Sequence, residues 1–229
     1  IYQDLADTMG AFQQKMNMKR EVIADRGIWT AKKRYILNVH NSEGVQYAKP
    51  KLKIMGIEAV KSSTPSSCRD NIKTALSLVM SADEATVRNF VGEFRNKFMS
   101  LPFEDVAFPR SVKDIQKWYA YGQIKPACPI HVRASIVYNQ LIKKHKLEHK
   151  YQAITNGEKI KFCYLKKNPM IQHVIASPGV MPPEFNMNQY IDYETQFQKA
   201  FIDPIKSITD TIGWKVDASA GATLEDFFA

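Results

Sequence analysis

The sequence predicts an α+β protein: a small β-sheet element with a helix at the N-terminal end, then a mainly helical part with a short strand region. Three observations carry this. Apolar and polar residues alternate in "RYILNV" and again in "KLKIMGIEAV". Apolar residues then recur at helical spacing from Ile72 to Leu101 and again after Pro129. A late alternation, "GEKIKFCYLKK", marks the strand region. The chain has 229 residues, 45% apolar and 11% aromatic, which is enough to bury a core of one large or two small domains.

The elements follow in order. Tyr2, Leu5, Ala6, Met9, Phe12 and Met16 share one face of a helix, which "DRG" at Asp25 to Gly27 breaks. Trp29 to Val39 reads as a strand with Tyr35, Leu37 and Val39 on one face. On that reading Lys32 and Arg34 point one way and Lys33 and Tyr35 the other. "NSEG" turns the chain into a second strand, Lys51 to Val60. "KSSTPSS" is the boundary to the helical part, with Thr64 as N-cap and Pro65 at the first helical position.

Ile72, Ala75, Leu76, Val79 and Met80 form one helical stripe. Val87, Phe90, Val91, Phe94, Phe98 and Leu101 form the next, with Ser81 and Glu84 at capping-box spacing. "LPFEDVAFPR" is a connector, Val112 to Tyr119 a short helix, and the chain after Pro129 a longer one. "NPMIQHVIASPGVMPPEF" carries four prolines and reads mostly as loop. Asn188 to Phe201 is a last amphipathic helix, interrupted at Pro204.

Several function classes lack their signatures. No apolar run is long enough to cross a bilayer, and the N-terminus is unlike a signal peptide. Cys68, Cys128 and Cys163 are scattered and odd in number, as for reduced thiols. There is no phosphate-binding glycine loop and no nucleophile elbow. "HKLEH", His145 to His149, has metal-ligand spacing, but Lys143, Lys144, Lys146 and Lys150 oppose a divalent cation there.

What the sequence does offer is positive charge. The net charge is +9, unevenly spread. Lys15 to Lys53 holds ten Lys/Arg against three Asp/Glu, and Lys143 to Lys167 holds eight Lys against two Glu. Glu184 to the end holds eight acids and three lysines. Two basic blocks suit a polyanion, while lysines that merely solubilise an edge strand are the competing reading. At the C-terminus, Leu224, Phe227 and Phe228 fall on one face of a helical turn after a small-residue linker, as in a peptide that docks in a partner's groove.

The order "KREVIADRGIWTAKKRYILNVHNSEG…YAKPKLKIMGIEAVKSSTP" resembles the end of the palm and the start of the thumb in family B DNA polymerases of large tailed phages. "PACPIHVRASIVYNQLIK" and "NGEKIKFCYLKKNP" resemble thumb segments of the same family. "TLEDFFA" resembles its sliding-clamp-binding peptide, with Gly221 where that pattern has Gln. The resemblance implies palm over residues 1–60, thumb over 61–215 and a clamp-binding tail over 216–229.

It further implies that Lys32, Lys33 and Tyr35, with Arg34 beside them, hold a primer strand near its end. His131, Arg133, Tyr138 and Asn139 are implied as thumb contacts to duplex DNA, and Leu224, Phe227 and Phe228 as the clamp anchor. The implied partners are primer–template DNA, a sliding clamp and an N-terminal polymerase part that carries the catalytic aspartates and Mg²⁺. This chain holds no Tyr-x-Asp-Thr-Asp motif, so it is expected to bind no cofactor and to incorporate no nucleotide by itself. A host cytoplasm is the expected setting. A stand-alone DNA-binding or scaffold module derived from a thumb is the alternative, and an RNA-binding accessory protein a further one.

Overall fold

Alternating strands leave a row of backbone donors and acceptors that only neighbouring strands can satisfy. In the computed structural model, which describes residues 2–10, 19–167 and 173–216, the chain is a mixture of helices and small antiparallel sheets. After helix α1 (Tyr2–Thr8), strands β1 (Val22–Ala31), β2 (Arg34–Ser42) and β3 (Val45–Met55) form one antiparallel sheet in the order β1-β2-β3. The cross-strand rows Ile28–Ile36–Ile54 and Trp29–Tyr35–Met55 lie on opposite faces. The first row packs against the core, with Ile36 fully buried. The second leaves Trp29 62% and Met55 43% exposed, so this sheet presents a partly apolar face outward.

This sheet departs from the sequence expectation at three points. The second strand, expected over Lys51 to Val60, is β3 at Val45–Met55, and Glu58–Val60 forms a short 3-10 turn instead. "DRG" does not break a helix there; it runs within β1. The Trp29 ring folds over Gly27: a Cβ there would lie 2.5 Å from that ring and 2.8 Å from a Leu37 methyl, so both side chains would have to shift. Nor is Trp29 to Val39 one strand. Ala31 pairs with Arg34, and Lys32 and Lys33 are the two-residue turn between β1 and β2. Lys33, at the second position of this turn, takes the left-handed conformation at φ +62°.

The helical part begins with α2 (Ser66–Ser81) and α3 (Glu84–Phe98). Pro65, not Thr64, is the N-cap of α2; the Thr64 hydroxyl donates instead to the Glu58 carbonyl at 2.9 Å. Asp83 caps α3 by accepting from the Thr86 N–H, so the expected pairing of Ser81 with Glu84 is replaced by a nearer carboxylate. The expected connector folds into α4 (Phe103–Val106) and β4 (Phe108–Ser111), and the expected short helix shrinks to α5 (Ile115–Trp118). A small hairpin, β5 (Tyr119–Ala120) and β6 (Gln123–Ile124), precedes α6 (Ile130–Lys144).

Strand β7 (Lys159–Tyr164) forms where expected, between β4 and β8 (Val174–Ser177). Strand β8 lies in the proline-rich stretch read as loop; all four of its residues are buried, against β7 and α6. The C-terminal helix is not interrupted at Pro204. Helix α7 (Tyr193–Phe197) widens into a π turn, Gln198–Ile202, and continues as α8 (Asp203–Thr209). The wider turn just before Pro204 makes room for a ring that would otherwise press on the Ala200 carbonyl. It also brings Phe197 and Phe201 into a stack at 5.2 Å, against Phe94 and Phe98.

Polar ties join these layers. The buried Gln196 amide donates to the Val106 carbonyl and accepts from the Tyr164 N–H. Arg26 on β1 donates to the Met80 carbonyl at the end of α2, fixing the sheet to the helices. Cys68, Cys128 and Cys163 are free and buried. Among the described residues no helix is long and apolar enough to cross a membrane. Phe12, Met16 and the tail anchor Leu224, Phe227 and Phe228 lie outside the described residues.

Candidate nucleic-acid interface

A tight turn exposes whatever side chains it carries. Lys32 and Lys33 are both exposed, and the turn places them together at one end of the sheet. The expected division of these cations between two strand faces therefore does not hold; they form one protruding charged tip. Tyr35 begins the outward row beside that tip and is half-buried.

Arg34 does a different job. Its Nη2 donates to Glu58 Oε2 at 3.2 Å and to Ser207 Oγ at 3.4 Å, tying the tip to the chain after β3 and to α8. The other Glu58 oxygen accepts from Lys61 Nζ at 2.8 Å. One carboxylate thus bridges the base of the hairpin tip and the chain entering the helical part. Gly56 presses the same region from beneath, since a Cβ there would lie 2.2 Å from the Lys33 carbonyl oxygen.

Directly after Lys61 the chain forms one wall of a recess of about 350 Å³, lined by Ser62, Ser63, Pro109, Arg110, Ser111 and Lys159. Arg110 donates to the Ser63 and Pro109 carbonyls at 2.6 and 2.7 Å and lies over the Phe108 ring. Lys159 pairs with Ser111 across the β4–β7 ladder, so strand register puts a hydroxyl and an ammonium side by side. Hydroxyl donors, a fixed guanidinium and an ammonium around an open recess suit phosphate oxygens. The sequence reading missed this recess. Its parts lie in three separated segments, which the sequence offers separately as a boundary, a connector and a strand.

The four thumb residues implied by resemblance fall in two groups. His131 and Arg133 are half-buried on the first turn of α6. Burial, with the Arg110 guanidinium adding to it, holds the His131 imidazole below its ordinary value. It is neutral at neutral pH, so it can donate a hydrogen bond but brings no charge to a phosphate. The unfolded chain protonates this histidine first, so stability is full above about pH 6.5 and falls as pH drops below it. A melting-temperature series from pH 7.5 to 5 should show that fall, and His131→Gln should make it shallower. An equally steep fall in the variant rules out His131 as a contributor.

Tyr138 and Asn139 are correctly placed on α6 but are occupied by the fold. Tyr138 is 2% exposed, its ring edge-on to Phe185. The Asn139 amide donates to the Ile154 carbonyl at 2.9 Å and accepts from the Ile154 N–H at 2.7 Å. These contacts pin the loop after α6 and occupy the Asn139 amide, which is half-buried. Asn139→Ala should destabilise the protein by about 1–3 kcal/mol, because two backbone groups lose their partner. Duplex affinity, measured where the variant is folded, should be unchanged; a specific loss of affinity would return Asn139 to the binding surface.

The HKLEH pattern does not sit on a helix. Helix α6 ends at Lys144, and Lys146 turns left-handed at φ +55°. Among the described residues no three His, Cys, Asp or Glu side chains gather to hold a metal ion.

This chain resembles a C-terminal portion of phage DNA-directed DNA polymerases. It is 32% identical over 240 residues to the polymerase of Escherichia phage RB69, and 29% identical over 240 residues to that of Enterobacteria phage T4. Each match covers 99% of this chain and 26% of the polymerase, so the chain spans about a quarter of the length of the curated relatives it matches. No family model matches.

Proposed function

We propose that this chain is the palm-end and thumb portion of a DNA polymerase of phage type, family B, and that it holds primer–template duplex. The observation that supports this most is similarity to polymerases along 99% of the chain. A connected set of cations supports the reading. Lys32 and Lys33 at the hairpin tip, Lys61 beyond Glu58, and Arg110 and Lys159 at the recess form a cationic strip along one connected stretch of the fold. Such a strip meets phosphates and not base edges, so binding is sequence-independent and falls steeply with salt. Fluorescence anisotropy with primer–template, duplex and single strands of scrambled sequence tests this. Failure to bind duplex at low salt would end the proposal.

Phosphoryl transfer in the proposed whole enzyme would use Mg²⁺, which would supply Lewis-acid stabilisation of phosphate charge. The described residues offer no group of three His, Cys, Asp or Glu side chains to hold it. Their part is to neutralise and align the strand.

The tail is proposed to anchor a sliding clamp through Leu224, Phe227 and Phe228. A short peptide buries little area, so the affinity is on the order of micromolar, with tethering on DNA supplying the persistence. Phe227→Ala with Phe228→Ala should abolish clamp binding in a pull-down or titration and leave duplex affinity and melting temperature unchanged. A melting temperature lowered by several degrees would assign both phenylalanines to the core.

A further inference from the structure

Tyr121 is fully exposed. It sits at the tip of the β5–β6 hairpin, in a two-residue turn where Tyr121 has φ +52° and Gly122 φ +77°. Turns with two positive φ values favour Asn, Asp or Gly at the first position, and a bulky aromatic is sterically disfavoured there. The fold takes no packing from this ring in return.

The mount beneath it is well fixed. Tyr119 pairs with Ile124 and Ala120 with Gln123, and the Lys125 N–H donates to the Trp118 carbonyl at 2.9 Å. Ile115, Trp118 and Ile124 pack against the core. Gln140 on α6 donates to the Tyr119 hydroxyl at 3.4 Å, and the Ile115 N–H donates to Asn156 at 2.9 Å. Around this mount Lys113, Lys117 and Lys125 are exposed, and Asp114 is the one acid from residue 113 to 125. Lys117 lies 5.2 Å from the centre of the Trp118 ring.

We propose that this hairpin is a separate nucleic-acid contact: Tyr121 lies against a base or sugar face, and Lys113, Lys117 and Lys125 meet the phosphates beside it. The inference rests on the duplex-holding reading above and adds a surface to it. A lone projecting ring is too small for a stable protein interface, and a membrane anchor would need a wider apolar face. An aromatic projecting from a fixed hairpin among cations suits a nucleic-acid strand, because every unpaired base and every sugar offers a face and every link a phosphate.

The test separates binding from folding. Tyr121→Gly suits the turn, so its melting temperature should equal or exceed the parent's. Its affinity for primer–template duplex should fall about tenfold, and Tyr121→Phe should keep the parental affinity, since stacking needs no hydroxyl. Tyr121→Asn, also at ease with positive φ, should lose as much as glycine. Parental affinity in the glycine or asparagine variant overturns the hairpin contact. If Lys32→Ala with Lys33→Ala still weakens binding in that case, the duplex-holding reading stands without it; if the parent binds no duplex, both fall. Tyr121-dependent binding to anionic phospholipid vesicles, with duplex affinity unaffected, would also overturn it.

Discussion

Lys32→Ala combined with Lys33→Ala should lower affinity for primer–template duplex on the order of 30-fold near 0.15 M salt. The figure follows from counterion release: each lost phosphate contact removes about 0.9 from the log–log salt slope, and two remove about 1.8. Between about 0.15 M and 1 M salt that slope difference amounts to the stated factor. Both side chains are exposed at a turn, so their loss should alter stability by no more than about 0.5 kcal/mol. Anisotropy titrations from 50 to 400 mM salt measure slope and affinity together. Parallel lines for parent and variant would remove both lysines from the interface, whatever the affinity.

The placement of those lysines shows where sequence reasoning stops. Alternation from Trp29 to Val39 is real, but it continues through a hairpin turn because the residues on either side alternate too. The usual warning of a two-residue turn is Asn-Gly or Asp-Gly. Lys-Lys carries no such signal, and only the pairing of Ala31 with Arg34 reveals it. Helix α6 was legible because Pro129 marks its start and its apolar residues keep strict helical spacing. Strand β8 was not, because prolines and glycine on both sides outweigh four buried residues whose partners are ten or more positions away.

The same divide runs through the candidate site. Residue type and resemblance picked out the charged tip, but they could not tell a side chain that reaches solvent from one the fold uses. Arg34 and Asn139 are both spent on internal ties, to Glu58 and Ser207 and to Ile154. Arg110, Ser111 and Lys159 had no local motif at all; strand register across β4 and β7 brings them together. Tyr121 lies just beyond the expected short helix, Val112 to Tyr119, and its exposure depends on a turn that only the pairing of Ala120 with Gln123 reveals.

Gly56→Ala should destabilise the protein by about 3–4 kcal/mol, the sum of a conformational and a steric effect. At φ +67° an alanine is in the left-handed region, which costs about 1–2 kcal/mol. Its Cβ would also lie 2.2 Å from the Lys33 carbonyl oxygen and 3.1 Å from Arg34 Cγ. Backbone cannot swing aside as a flexible side chain can, so the hairpin tip must move away from the end of β3. That motion stretches the Arg34–Glu58 contact and re-aims Lys32 and Lys33. Gly44→Ala is the internal control. Gly44 also has positive φ, +88°, but nothing lies within 4 Å of a Cβ there, and it sits at the far end of the same sheet. It should lose only the conformational share and keep full duplex affinity, whereas folded Gly56→Ala protein should bind duplex more weakly. Urea unfolding and anisotropy on the two variants decide it. Equal destabilisation in both would mean that the close approach of Gly56 to Lys33 does not set the position of the tip.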